Sequence, residues 1–347
     1  MTRSGHGRTD PMLAVEELET RLHVDGGVDA VDGISFDVER GETVCLVGES
    51  GSGKTLACDS ITGLVGPPAE VSGDIRFDGQ ELLGLPDDEI RSIRGNRIAY
   101  LFQNPKGALD PVYTVGDQIT EAITFHRDIE KAIAIERAVE LLEAVGLSRP
   151  ADRIDQYPHE LSDGMCQRVA LAIALAADPD LLIADEPTSA LDVMIQARII
   201  DLLEELQRDR ELSVLLVTHD LRVAARLADR VVVLYDGVVV ERGSASSVLE
   251  RPAHPYTQAL LRSFITDGDR VRAGSEADGC RFRRECPHAI DACAGDRPAF
   301  HDAGDDGEVA CVRYSEEHDS TPVIADANEL AAMLVDRRSE RREVEDG

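Results

Sequence analysis

The stretch Val44-Cys-Leu-Val-Gly48-Glu-Ser-Gly-Ser-Gly53-Lys54-Thr55 constrains this chain more than any other. Its β-prone residues run into a G-x-x-x-x-G-K-T turn, and Leu56 to Leu64 can continue as a helix. Such a turn wraps a triphosphate with backbone N–H groups and the positive end of the following helix. Gly48, Glu49, Ser50, Gly51, Ser52, Gly53, Lys54, Thr55 and Leu56 are therefore the expected nucleotide-binding set. Lys54 reaches the outer phosphates and the Thr55 hydroxyl ligates Mg²⁺. A glycine-rich turn without a ligand is the weaker reading, because the strand and the helix flank it in the right order.

The remaining chain offers the matching scaffold. Leu13 to Leu22 and Ala30 to Val38 read as an antiparallel pair of strands beside the loop strand, after a loose leader at residues 1–11. Val71 to Gly79 and Arg97 to Gln103 read as further strands. From Gly116 to Gly146 the periodicity is helical, so residues 104–178 are expected to form a helical subdomain inserted into an α/β core. The core resumes with Asp180 to Pro187, a helix over Val193 to Asp209, a strand over Val214 to Thr218, and a hairpin turning at Asp236-Gly237. Alternating strands and helices around a phosphate loop imply a mostly parallel sheet covered by helices. The expected divisions are a core over 12–243, an extension over 244–325 and a charged tail over 326–347.

Charge narrows the class. The chain has 36 basic and 67 acidic residues, a formal net charge of −31, and its only lysines are Lys54, Lys106 and Lys131. A diffuse acidic surface poor in lysine suits concentrated salt, where charge repulsion is screened within about 3 Å, and so predicts a halophilic cytoplasm. No basic stripe is visible for a phosphate backbone, which argues against nucleic acid as the main ligand. No apolar run reaches the roughly 18 to 20 residues of a membrane span, and the first dozen residues do not read as a secretory signal.

Two carboxylates, Asp185 and Glu186, end the apolar strand Leu181 to Ala184. Successive strand residues point to opposite faces, so the pair can divide its work: Asp185 holds Mg²⁺ and Glu186 polarises the attacking water. His219 follows the strand Val-Leu-Leu-Val-Thr218 and is a candidate γ-phosphate contact. Gln103, at another strand end, is a candidate for the Mg²⁺ and water shell.

Leu161-Ser162-Asp163-Gly164-Met165 then precedes a helix expected over Cys166 to Ala177. Together with Gly48 to Thr55, Gln103, Leu182 to Glu186, Ser189-Ala-Leu-Asp192 and His219 in this order, it resembles the ATP-binding subunit of an ABC transporter over residues 13 to 265. In that family two subunits close head to tail, and each ATP lies between the phosphate loop of one and the signature peptide of the other. The resemblance implies that Ser162 and Gly164 contact the partner's γ-phosphate, that Asp192 lines the subunit interface, and that Gln103 also senses the membrane domain. It departs from the family at Asp163, where glycine is usual, and near Leu22 and His23, where an adenine-stacking ring is usual. A carboxylate in a first helical turn suits the helix dipole, yet beside a γ-phosphate it repels. This asymmetry favours a homologous second ATPase over an identical one.

Ile98 to Pro105, Leu109-Asp-Pro111-Val, Thr114 to Ile119 and Arg251-Pro-Ala-His254-Pro255-Tyr256-Thr257 are similar to the oligopeptide and dipeptide importer ATPases. That resemblance implies ATP hydrolysis at the cytoplasmic face of the cell membrane, two permease subunits as partners and, indirectly, an extracytoplasmic solute-binding protein. Cys280, Cys286, Cys293 and Cys311 follow at C-x5-C-x6-C-x17-C. Clustered thiols in a cytosolic chain suit metal ligation. Zinc knuckles are normally C-x2-C, and thiolates also suit iron–sulfur centres. The pattern is similar to the C-terminal region of those importer subunits, some of which carry a [4Fe–4S] cluster, with Zn²⁺ and unliganded thiols as the alternatives. Two other functions stay open: a non-transport ABC ATPase, and an ATP-regulated iron–sulfur redox sensor.

Overall fold

The computed structural model describes residues 10–24, 27–188, 193–266, 278–328 and 330–331. The chain opens with β1 (Leu13–Leu22) and β2 (Val28–Val38), an antiparallel pair. The buried strand β3 (Thr43–Val47) follows, then the phosphate loop and α1 (Lys54–Ile61). β4 (Ala69–Phe77) returns to pair with β1, β5 (Gln80–Glu81) extends it, and α2 (Asp87–Ile93) follows. The small sheet therefore has the order β2-β1-β4-β5.

After β6 (Ile98–Leu101) the chain leaves the sheet and forms α3 (Pro105–Ala108), α4 (Val115–His126), α5 (Lys131–Ala144), α6 (Pro150–Arg153) and α7 (Asp163–Ala174). Three of these begin with recognisable signals. Asn104 caps α3, Thr114 caps α4 by accepting from Asp117 N–H, and Ser162 caps α7 by accepting from Met165 N–H. The chain then re-enters the large sheet at β7 (Leu181–Asp185). It continues through α8 (Val193–Arg210), β8 (Ser213–Thr218), α9 (Leu221–Leu227), β9 (Arg230–Tyr235) and β10 (Val238–Ser244).

The extension does not stand apart from this body. After α10 (Ala245–Glu250) and α11 (Pro255–Thr266), the hairpin β11 (His301–Gly304) and β12 (Gly307–Val309) pairs onto β10 through Glu241↔Val309 and Arg242↔Glu308. The large sheet thus runs β11-β12-β10-β9-β3-β8-β7-β6. Tyr256, Leu260, Leu261 and Phe282 from the extension pack into the same apolar cluster as Val47, Leu216 and Val233 of the core strands. Cys45, Cys58 and Cys166 are fully buried, as expected of packing residues. Among the described residues, no helix is long and apolar enough to cross a membrane.

Candidate active site

Parallel pairing sets the site. Val47 of β3 is opposite Thr218 of β8, Asp185 of β7 is opposite Val217, and Leu101 of β6 is opposite Ala184. Four strands therefore end at one edge. The phosphate loop, His219, the Asp185-Glu186 pair and the segment carrying Gln103 all leave the sheet there.

The loop is held tightly. A Cβ on Gly48 would lie 2.2 Å from the Leu234 carbonyl oxygen, and one on Gly53 would lie 2.5 Å from that of Ala30. No side chain fits at either place, and both residues have positive φ, which glycine tolerates best. Lys54 is 5% exposed, and its Nζ donates to the Gly48 and Glu49 carbonyls, both at 2.7 Å, and to Ser52 Oγ at 3.2 Å. Burial lowers the pKa of this ammonium, while the carboxylates of Glu186 and Asp185 act in the opposite direction. Thr55 follows Lys54 in the first turn of α1, and its hydroxyl neighbours the Asp185 carboxylate and favours its charged form.

Asp185 is 2% exposed, and burial pushes its carboxyl up to about 6, helped by the neighbouring charge of Glu186. Its Oδ1 is buried without a hydrogen-bond partner among the described residues. A buried carboxylate oxygen left unsatisfied beside a threonine hydroxyl is a donor set that fits Mg²⁺. Glu186 follows with φ of 50°, a left-handed backbone that turns it away from the strand, and its N–H donates to the Val217 carbonyl at 2.9 Å. Strain of this kind collects at functional sites. Its Oε1 lies 2.8 Å from His219 Nδ1, and this hydrogen bond raises the imidazole pKa. Gln103 is exposed two residues beyond β6, and no hydrogen bond among the described residues ties it to Thr55 or Asp185.

The signature peptide sits elsewhere on the molecule's surface. Ser162 Oγ accepts from Met165 N–H at 3.4 Å, and Gly164 packs so closely on α8 that a Cβ would meet Ile195 at 2.7 Å. Asp163 occupies the first turn of α7 and pairs with Lys106 of α3. The only sequence signal for a role of Lys106 is the rarity of lysine in so acidic a chain. Asp192 lies outside the described residues. His23, near the expected adenine position, pairs at 3.4 Å with Glu70 and stacks on no aromatic ring among the described residues.

The thiols of the extension lie in one neighbourhood. Cys280 N–H donates to the Cys293 carbonyl at 2.9 Å. Burial pushes the Cys286 thiol up to about 11 and that of Cys311 up to about 12, and the nearby Cys280 and Cys293 thiols add to both shifts. Yet among the described residues no three His, Cys, Asp or Glu side chains come close enough together to hold a metal ion. The expected four-cysteine metal centre is therefore not seen as a compact ligand set.

Comparison with known proteins agrees with this architecture. The ABC transporter family profile matches residues 31–189, and that of the oligopeptide/dipeptide transporter C-terminal region matches residues 240–293. The dipeptide transport ATP-binding protein DppD of Escherichia coli is 45% identical over 294 residues, 81% of this chain and 90% of that protein. The oligopeptide transport ATP-binding protein AppD of Bacillus subtilis is 44% identical over 303 residues, 84% of this chain and 92% of its own length. A dimeric ATP-binding cassette solved in a post-hydrolysis state with ADP and phosphate aligns with a TM-score of 0.62 at 30% identity, covering 67% of this chain and 99% of that one. The chain therefore belongs to the ATP-binding subunits of ABC transporters, in the branch that carries the oligopeptide/dipeptide transporter C-terminal region.

Proposed function

We propose that this chain is the ATPase that powers import of oligopeptides or dipeptides, working at the cytoplasmic face of a membrane with two permease subunits, a second ATPase and an extracytoplasmic solute-binding protein. The observation that carries the reading is the single sheet edge where Lys54, Thr55, Asp185, Glu186 and His219 meet. Lys54 and the loop N–H groups bind the phosphates; Thr55 and Asp185 would hold Mg²⁺, which would supply charge neutralisation for the developing phosphate charge. Glu186 accepts a proton from the attacking water, and His219 fixes the carboxylate's orientation at 2.8 Å. Ser162 and Gly164 complete the partner's site, while Gln103 lies on the loop that faces the permease. Phe102, Val112, Tyr113 and Phe125 are exposed large apolar residues on that loop and the helical subdomain, which suits docking of permease helices. Match to the peptide-transporter C-terminal region favours this reading over a non-transport ABC ATPase or a redox sensor. Expressed with its membrane partners, the chain should co-purify with two permeases and hydrolyse ATP faster when peptide-loaded binding protein is added. A chain that purifies without permeases, or whose ATPase ignores the loaded binding protein, removes the transport reading.

We further infer a [4Fe–4S] cluster on Cys280, Cys286, Cys293 and Cys311 in preference to Zn²⁺. The spacing C-x5-C-x6-C-x17-C lacks the C-x2-C knuckles usual for structural zinc, and thiolates also suit iron–sulfur clusters. When bound, the cluster would tie four separate segments of the extension together. Anaerobically purified protein should absorb near 400 nm and contain iron; colourless protein loaded with zinc overturns this assignment. The acidic surface further supports a salt-rich cytoplasm as the working environment.

A further inference from the structure

The phosphate loop contains three glycines, Gly48, Gly51 and Gly53, which leave it with much conformational entropy to lose before its N–H groups can converge on a triphosphate. Contacts that fix such a loop beforehand increase its affinity for nucleotide. In this chain two of those contacts come from the extension's neighbourhood. The Tyr256 hydroxyl, on a ring that is fully buried, accepts from the Glu49 N–H at 3.1 Å across 207 residues of chain. On the other side of the loop, Ser52 O accepts from Gly237 N–H at 3.1 Å, and Arg281 grips that turn by donating to the Asp236 carbonyl while pairing with Asp32.

Tyr256 is itself firmly placed. Its ring centroid lies 4.5 Å from that of Tyr235 and 5.6 Å from that of Phe282, two residues after Cys280. Its N–H donates to His254 Nδ1 at 3.1 Å, and burial lowers the His254 pKa to about 3, which keeps that nitrogen an acceptor. The buried Glu241 carboxylate anchors the turn just before it, accepting from Ala253 N–H at 2.7 Å and His254 N–H at 2.8 Å.

We propose that Tyr256 is a positioning residue for ATP binding, through which the C-terminal extension holds the phosphate loop in its nucleotide-ready shape. This rests on the phosphate-loop reading above and adds a role for the His254-Pro255-Tyr256 turn, which looks from sequence alone like a turn with an aromatic plug. The role predicts a split in kinetic parameters. Tyr256 touches neither the attacking water nor Glu186, so losing its hydroxyl should weaken binding and leave the chemical step alone.

The test compares wild-type chain with Tyr256→Phe, which keeps the ring and its packing. In the assembled transporter, KM for MgATP should rise roughly three- to tenfold, the loss expected for one hydrogen bond, with kcat within about twofold. In the ligand-free full-length chain, hydrogen exchange resolved at the Glu49 amide should quicken, a readout that global damage would spread over the whole core. Unchanged Glu49 exchange overturns the proposal whatever happens to KM. So does an unchanged KM, or a fall in kcat alone. Wild-type chain that binds no MgATP would instead sink the phosphate-loop reading itself, so the two failures are distinguishable.

Discussion

The two halves that this chain contributes to ATP sites carry their charge in opposite ways. Around the phosphate loop the ions are buried: Lys54 is 5% exposed, Asp185 2% and Glu186 9%. At the signature peptide the ions are on the surface, with the side chains of Lys106 and Asp163 54% and 63% exposed. Desolvation governs the first group, shifting its pKa values and making each charge depend on its partners. Solvent and dissolved salt govern the second. A chain of net charge −31 therefore shields its chemistry from the surrounding ions while leaving the face it offers to a partner subunit open to them.

The buried half should break hardest. Glu186→Gln keeps the shape of the side chain but removes the carboxylate that accepts the water's proton. Turnover in the assembled complex should fall by at least about 10²-fold, the scale of a lost general base, while MgATP binding persists. Single-turnover hydrolysis together with nucleotide-binding titration checks this. Near-normal hydrolysis would move the proton acceptor elsewhere, with His219 the next group in contact.

Most of that half was legible in the sequence because strand ends are local facts. An apolar run that stops at Asp185-Glu186 or at Thr218-His219 marks its own edge, and parallel pairing does the rest. What was not legible depends on chain reversal. The Tyr256 contact with Glu49 spans 207 residues, and no local pattern encodes it. The hairpin of the extension joins the core sheet through only two residue pairs, and its strands of four and three residues are too short to announce themselves. Asp163 read as a liability facing the partner's phosphate, whereas its pairing with Lys106 could not be read from either residue alone.

A second buried carboxylate sharpens the comparison by pH. Burial holds Glu241 at about 7, above its ordinary 4.5, against the opposing hydrogen bonds from the Ala253 and His254 N–H groups. The folded state therefore binds this proton more tightly than the unfolded state. The resulting stabilisation is complete below about pH 4.5 and is lost as pH rises to about 7, an effect on the order of 3 kcal/mol. Glu241→Gln removes the titration. Denaturant unfolding at a series of pH values from 5 to 8 should show wild type losing stability relative to the variant as pH rises, and parallel curves would place Glu241 outside the titrating set.

The exposed half should respond least to mutation and most to salt. Without Lys106, the Asp163 carboxylate loses its ion-pair partner among the described residues at the face proposed to meet the partner's γ-phosphate. Lys106→Ala should then lower ATPase in the assembled complex by roughly two- to fivefold at low ionic strength. The deficit should shrink as KCl approaches 1 M, because screening falls to about 3 Å and solvent cations replace the lysine. Asp163→Gly removes the repelling charge and leaves Lys106 without its partner, so in that background Lys106→Ala should change little. The steady-state rate of the four variants of this cycle, measured from low to high KCl, reports the coupling directly. If the Lys106→Ala deficit persists unchanged into high salt, or is equally large with Gly at 163, then the pair acts through the shape of α3 and α7 and not through charge. The signature half would in that case be as indifferent to the surrounding ions as the buried loop it faces.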